Sequence, residues 1–196
     1  MGMLNHYDLA GLIKKYNLNV FIETGVGNGD GVIEAQKHSF EKIISIEIMP
    51  LQVQRMREKF KDDSRVEIIE GDTLNQLPFI LASLKNDNNV CFFLDAHYPG
   101  ADIGMGRHDA DVSEDLRLPI EKEMKIINIM RPAGKDVVLF DDIKIYRFQG
   151  RDCWRGDIKP RQQFSSDEFY KDIFAETHDF SSSEEDTGYG QLTPKL

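Results

Sequence analysis

Five short runs rich in β-branched and aromatic residues, "NVFIETG", "KIISIEIM", "RVEIIEGD", "NVCFFLDAH" and "DVVLFDD", alternate with stretches of helical spacing. This rhythm constrains the chain more than any other feature. The first four runs begin about 23 residues apart, separated by "GVIEAQKHSF", "LQVQRMREKF" and "TLNQLPFILASLK". Short continuous apolar runs fit strands covered on both faces, and their alternation with helices implies βαβ units and a parallel sheet. Before the fifth run come a glycine-rich loop, Pro99 to Gly106, and a helix expected over about Val112 to Met130. In that helix Leu116, Ile120, Met124, Ile127 and Met130 trace an apolar stripe.

The flanks complete the sheet. Residues 6–16 read as a short amphipathic helix, and "SSDEFYKDIFAE" as a helix capped by Ser166, with Asp167 and Glu168 in its first turn. The tail reads as two strands around the acidic turn "EEDTG", an antiparallel hairpin on the sheet's edge. A chain of 196 residues with 40% apolar and 30% charged content suits one domain with a substantial core, 1–196.

The parallel runs finish at Glu23, Glu47, Asp72, Asp95 and the pair Asp141–Asp142. In a parallel sheet these ends share one edge, the carboxyl edge where open α/β sheets bind ligands. Six carboxylates gathered there raise one another's pKa unless something positive or hydrogen-bond-donating sits among them. Helix caps would account for one or two of them, and poorly for all five strand ends. Behind Glu23 comes "GVGNGDG", with Gly25, Gly27, Gly29 and Gly31 at alternate positions. A dinucleotide site needs G-x-G-x-x-G, whose third glycine falls on Asp30 counting from Gly25 and on Val32 counting from Gly27. Neither fits. A glycine loop entered through a carboxylate suits a ligand that carries a cation.

With E-x-G-x-G-x-G after strand one, Glu47 ending strand two and Asp72–Thr73 after strand three, the sequence resembles the class I S-adenosylmethionine-dependent methyltransferases over most of its length. The resemblance implies a Rossmann-like, doubly wound α/β fold: a mostly parallel seven-stranded sheet with an antiparallel C-terminal hairpin strand. It implies S-adenosylmethionine as cofactor, with the loop at Gly25, Gly27 and Gly29 admitting its methionine part and Glu23 facing its charged amino-acid end. Glu47 would hold the ribose hydroxyls. Asp72, with Thr73 beside it, would face the adenine amino group, and Asp95 would border the cofactor.

In that family strands four and five are neighbours, so Asp95, Asp141 and Asp142 would converge as hard oxygen ligands suited to Mg²⁺. "FFLDAHYPG" and "VVLFDDIKIY" are similar to the catechol-type and macrocin-type metal-dependent O-methyltransferases, which imply the same three ligands. This chain departs from them at Tyr98, where the catechol type has a lysine base, and at His97, where the macrocin type often has an acid. His97 is the expected general base, its ordinary pKa suiting proton removal near neutrality, with Asp95 the other catalytic residue. The alternative role for His97 is to orient the Asp95 loop.

The expected reaction is methyl transfer to a hydroxyl of a small molecule, sugar-like or phenol-like. The alternatives are a metal-free methyltransferase acting on a small molecule or protein, and a non-catalytic binder of the cofactor. A net charge of −10 argues against nucleic acid and anionic membrane as partners, and "DAHY" stands where base methyltransferases carry an N/D-P-P-Y/F tetrapeptide. Two well-separated cysteines, Cys91 and Cys153, and no signal-like or membrane-length apolar run point to the cytoplasm. A homo-oligomer that completes the pocket is compatible with the short N-terminal helix. His108, Asp109 and Asp111 are weaker candidates, with helix capping as the alternative. The stretch around Trp154 with Arg147, Arg151, Arg155, Lys159 and Arg161 reads either as a lid over the acceptor or as a solvated loop.

Overall fold

The computed structural model describes residues 3–85, 87–101, 103–107, 112–147 and 164–195. His108, Asp109, Asp111 and most of the expected lid, including Cys153 and Trp154, lie outside the described residues. A 3₁₀ turn at Leu4–His6 leads into α1 (Leu9–Tyr16), which Asp8 caps by accepting the Gly11 N–H at 3.0 Å. Then follow β1 (Val20–Thr24), α2 (Asp30–Gln36), β2 (Lys42–Glu47), α3 (Pro50–Lys59), β3 (Val66–Glu70), α4 (Thr73–Ser83) and β4 (Val90–Leu94). The second half holds α5 (Glu114–Arg117), α6 (Ile120–Met130), β5 (Val137–Phe140), α7 (Ile143–Arg147), α8 (Phe169–Phe174), β6 (His178–Ser183) and β7 (Tyr189–Pro194).

The seven strands form one sheet in the order β3-β2-β1-β4-β5-β7-β6. The first five are parallel, and β7 runs antiparallel to both β5 and β6, as the sequence leads one to expect. Successive strand residues face opposite sides, so each buried run supplies two cores. Ile22, Ile44, Phe92, Leu94 and Val138 join one layer with residues of α4 and α6. Phe21, Ile43, Cys91, Phe93 and Leu139 join the other with residues of α1, α2 and α3. This double coverage is why the runs read as continuous apolar stretches instead of alternating ones. Among the described residues no helix is long and apolar enough to cross a membrane.

One expected element divides. The helix read over 112–130 is two helices, α5 and α6, broken at Leu118–Pro119. Proline has no N–H to continue the ladder and drives its predecessor out of the helical region, and Leu118 stands at φ −145°, ψ 75°. The stripe carries across the break because Leu118 and Ile120 are both buried. Ser166 does not cap α8, which begins at Phe169 behind Glu168; its hydroxyl accepts the Glu168 N–H at 3.3 Å, just ahead of the helix.

Register explains the edge. Thr24 pairs with Leu94, and Leu94 with Phe140, so β1, β4 and β5 end level. The next residues, Gly25, Asp95 and Asp141, therefore emerge side by side, on strands about 4.8 Å apart.

Candidate active site

A cleft of about 680 Å³, counting the space at its open mouth, lies over this edge. That is ample for a nucleoside-sized ligand. Gly25, Gly27, Glu47 and Thr73 line one part of it. Asp95, His97, Tyr98, Asp115, Leu116 and Pro119 supply other walls.

The glycine loop needs its glycines for two reasons. Gly25, Gly27 and Gly29 hold φ of 82°, 48° and 83°, in the left-handed region that side chains disfavour. A Cβ at Gly25 would also stand 2.9 Å from the Asp95 carbonyl oxygen, so only glycine lets the loops after β1 and β4 touch. Beside the loop, the Glu47 carboxylate accepts the Met49 N–H at 2.8 Å. Burial raises its pKa, and hydrogen bonds from the backbone of Met49, Gly27, Ile48 and Val26 oppose that rise.

Two expected cofactor residues are placed differently. Asp72 caps α4, accepting the Leu74 N–H at 2.9 Å, with its second oxygen 3.3 Å from the Asn75 side-chain amide. Its neighbour Thr73 is the one that reaches the cleft wall. Glu23 does not line the cleft. It is 1% exposed, points to the α2 side of the sheet, and accepts from the Ser45 hydroxyl at 2.6 Å. Its other oxygen fills the space over Gly31, where a Cβ would come within 1.8 Å, which explains the fourth glycine.

Burial raises the Glu23 pKa from its ordinary 4.5 to about 8. The folded protein thus keeps Glu23 neutral at pH values where the unfolded chain ionises. Its contribution to stability is whole below about pH 4.5 and drains away as the pH rises to about 8. Glu23→Gln, neutral throughout, should therefore raise stability at pH 8 by on the order of 1–3 kcal/mol while leaving it nearly unchanged at pH 5. Denaturant melts at the two pH values check this, and a uniform offset between variant and wild type would contradict it.

The chemistry-bearing group is more tightly drawn than the sequence suggests. Asp95, His97 and Asp141 each offer a ligand atom, and these atoms all lie within 4.8 Å of one another. Burial, first, and then charge, that of Asp142 on Asp95 and that of Asp95 on Asp141, push both well above the ordinary carboxylate range, and the two share a hydrogen bond. One oxygen of each, Oδ1, is buried without a hydrogen-bond partner. Asp142, the third expected metal ligand, instead stands 2.7 Å from His97 Nε2, which is 3.5 Å from Asp95 Oδ1. A left-handed φ of 58° directs the Asp142 carboxylate there. Burial would raise its pKa, but the His97 charge and hydrogen bond outweigh this and hold it below the ordinary value. The residues fit a cation: unsatisfied buried carboxylate oxygens face one another, and His97 is the only described basic side chain paired with them.

Sequence reading missed three participants. Tyr7 donates to the Phe140 carbonyl at 2.8 Å and the Gly190 carbonyl at 3.1 Å, closing the β5–β7 end beside Asp141. Glu123 on α6 is fully buried, with burial raising its pKa to about 8, and accepts from the Thr24 hydroxyl at 3.4 Å. The signal for it exists, since a glutamate at 123 falls within the apolar face of 120, 124 and 127. Gln52 on α3 is the third.

No family model and no curated protein matches the sequence. Solved structures do. A Podospora anserina methyltransferase with bound SAH aligns with 94% of this chain and 75% of its own, at 18% identity and a TM-score of 0.58. A Staphylococcus aureus protein, a candidate caffeoyl-CoA O-methyltransferase, aligns over 100% of this chain and 85% of its own, at 15% identity and 0.59. A candidate O-methyltransferase from Klebsiella pneumoniae covers 96% and 78%, at 13% and 0.54. What is shared at these identities is the fold, a Rossmann-like methyltransferase fold with a mixed seven-stranded sheet.

Proposed function

We propose that this protein is an S-adenosylmethionine-dependent methyltransferase that methylates a hydroxyl of a small molecule with the help of a divalent cation. One observation carries the reading: a glycine loop and Glu47 open into the same cleft as Asp95 and His97, which cluster with the buried Asp141. The SAH bound to the Podospora neighbour and the O-methyltransferase names of the other two support it.

The cofactor would lie along Gly25, Gly27, Glu47 and Thr73, and would supply an electrophilic methyl group. Glu47 offers a carboxylate to a pair of ligand hydroxyls, the loop glycines allow close approach, and Asp95 stands at the junction of the two halves. Asp95 and Asp141 would hold Mg²⁺, which would lower the pKa of an acceptor hydroxyl there. Asp142 would orient His97: with the ring proton on Nε2, 2.7 Å from the Asp142 carboxylate, Nδ1 would be the basic nitrogen of that tautomer and would take the hydroxyl proton. With the cofactor bound along Gly25, Gly27, Glu47 and Thr73, its methyl group would be supplied to the acceptor oxygen and its sulfur would keep the electron pair of the bond it gives up. Walls from Tyr98, Ile103 and Leu116 would keep water from this centre. In a second reading, favoured by the mutual distances within the cluster, His97 is itself a ligand.

The test is transfer of a labelled methyl group from S-adenosylmethionine to a panel of catechols, other phenols and sugars, with Mg²⁺ or with EDTA. Transfer that EDTA abolishes supports the full proposal. Transfer indifferent to EDTA retains the methyltransferase and removes the metal. Cofactor binding without transfer to any acceptor class would leave a binding protein.

A further inference from the structure

One face of α3 carries Gln52, Met56 and Lys59, with Phe60 just beyond, and every one of them meets the glycine loop. Gln52 donates its side-chain amide to the Gly27 carbonyl. Lys59 Nζ donates to the Asn28 carbonyl at 2.7 Å. A Cβ at Gly29 would stand 2.7 Å from the Phe60 ring and 3.1 Å from Met56 Sδ. Of the two donors only Gln52 is buried, at 3% exposure. The loop has no side chains of its own at Gly25, Gly27 and Gly29 with which to hold three left-handed residues in place. Part of its support comes from outside: the Glu47 carboxylate takes hydrogen bonds from the Val26 and Gly27 backbone, and α3 supplies the contacts to Gly27, Asn28 and Gly29.

We infer that Gln52 is a positioning residue that sets the glycine loop in its ligand-ready shape before the cofactor arrives. The inference rests on reading the cleft as a cofactor site. Held towards α3, the Gly27 carbonyl turns the N–H of the same trans peptide, that of Asn28, away from the helix. The ordering of a glycine-rich segment is then complete before binding and is not charged against affinity. A half-buried carbonyl that lost this donor would seek another partner, and the loop would sample other conformations.

Gln52→Met keeps the length of the side chain and removes the donor, and Gln52→Lys restores a donor of the kind Lys59 already provides. Gln52→Asn, one methylene shorter, takes the place of the methionine variant if that variant does not fold. Two quantities are read: SAH affinity by calorimetry, and hydrogen exchange at Gly29, whose N–H donates to the Val26 carbonyl at 2.7 Å. The methionine variant should bind SAH about tenfold more weakly and exchange Gly29 about tenfold faster, with its thermal transition retained. The lysine variant should recover most of both. Wild-type affinity and wild-type Gly29 exchange in a folded methionine variant would overturn the inference, as would a lysine variant no better than methionine. Should wild-type protein bind no SAH, the cofactor reading falls, and Gly29 exchange alone decides whether Gln52 clamps the loop.

Discussion

Asp141→Asn is expected to reduce methyl transfer by about 10²–10³-fold, the scale of losing metal-assisted activation of the acceptor. SAH affinity should stay within about threefold of wild type, because Asp141 is not among the residues that line the cleft where the cofactor is proposed to lie. The same substitution should make the metal-free protein more stable at neutral pH. Asp141 is 1% exposed, burial and the charges of Asp95 and Asp142 raise its pKa, and an amide removes the repulsion among these carboxylates. Opposite signs for activity and stability, with Mg²⁺ offsetting the repulsion in the wild type alone, are what a cation site predicts. Transfer assays and thermal melts, each with and without Mg²⁺, check it. Mg²⁺ should raise the wild-type melting temperature and leave the variant's unmoved. Full activity in the variant would remove Asp141 from the chemistry.

Glu47→Ala should weaken SAH binding by about 30–100-fold. Hydrogen bonds that involve a charged group contribute about 1.5–3 kcal/mol each, and Glu47 can offer both oxygens to a diol. Its place at the end of β2, 7% exposed and bordering the cleft, leaves little room for water to substitute. The alanine variant also loses the acceptor for backbone groups of Val26 and Gly27, which adds loop disorder to the direct loss. Glu47→Gln, which retains shape and one acceptor, should lose roughly a third to a half as much free energy. Calorimetry on the three proteins settles the order, and equal affinities would remove Glu47 from the cofactor site.

Much of this was legible in the sequence because two periodicities carried it. Runs such as "KIISIEIM" could only be strands buried on both faces, and their spacing implied the parallel order that brings Gly25, Asp95 and Asp141 level. The carboxylates at the strand ends pointed to the edge over which the cleft lies. What stayed hidden was which side of the sheet each one faces. Glu23 lies on the same face as Phe21, under α2, and a strand covered on both sides gives no polar–apolar alternation from which to read that. Asp72 has a local role besides: the residue before a helix serves the first turn, and its oxygens accept from Leu74 and Asn75. Asp142 depended on a left-handed φ at a non-glycine residue, which composition does not announce. Gln52 escaped notice because a polar residue in "LQVQRMREKF" looks like solvated helix until the glycine loop is seen folded against it.

The most direct test of the central claim is a calorimetric titration of the purified protein with S-adenosylhomocysteine, run with and without Mg²⁺. The cleft, the glycine loop and Glu47 predict saturable one-to-one binding in the micromolar range in both buffers, and a separate heat for Mg²⁺ that Asp141→Asn abolishes. The absence of any binding heat for S-adenosylhomocysteine in either buffer would contradict the account.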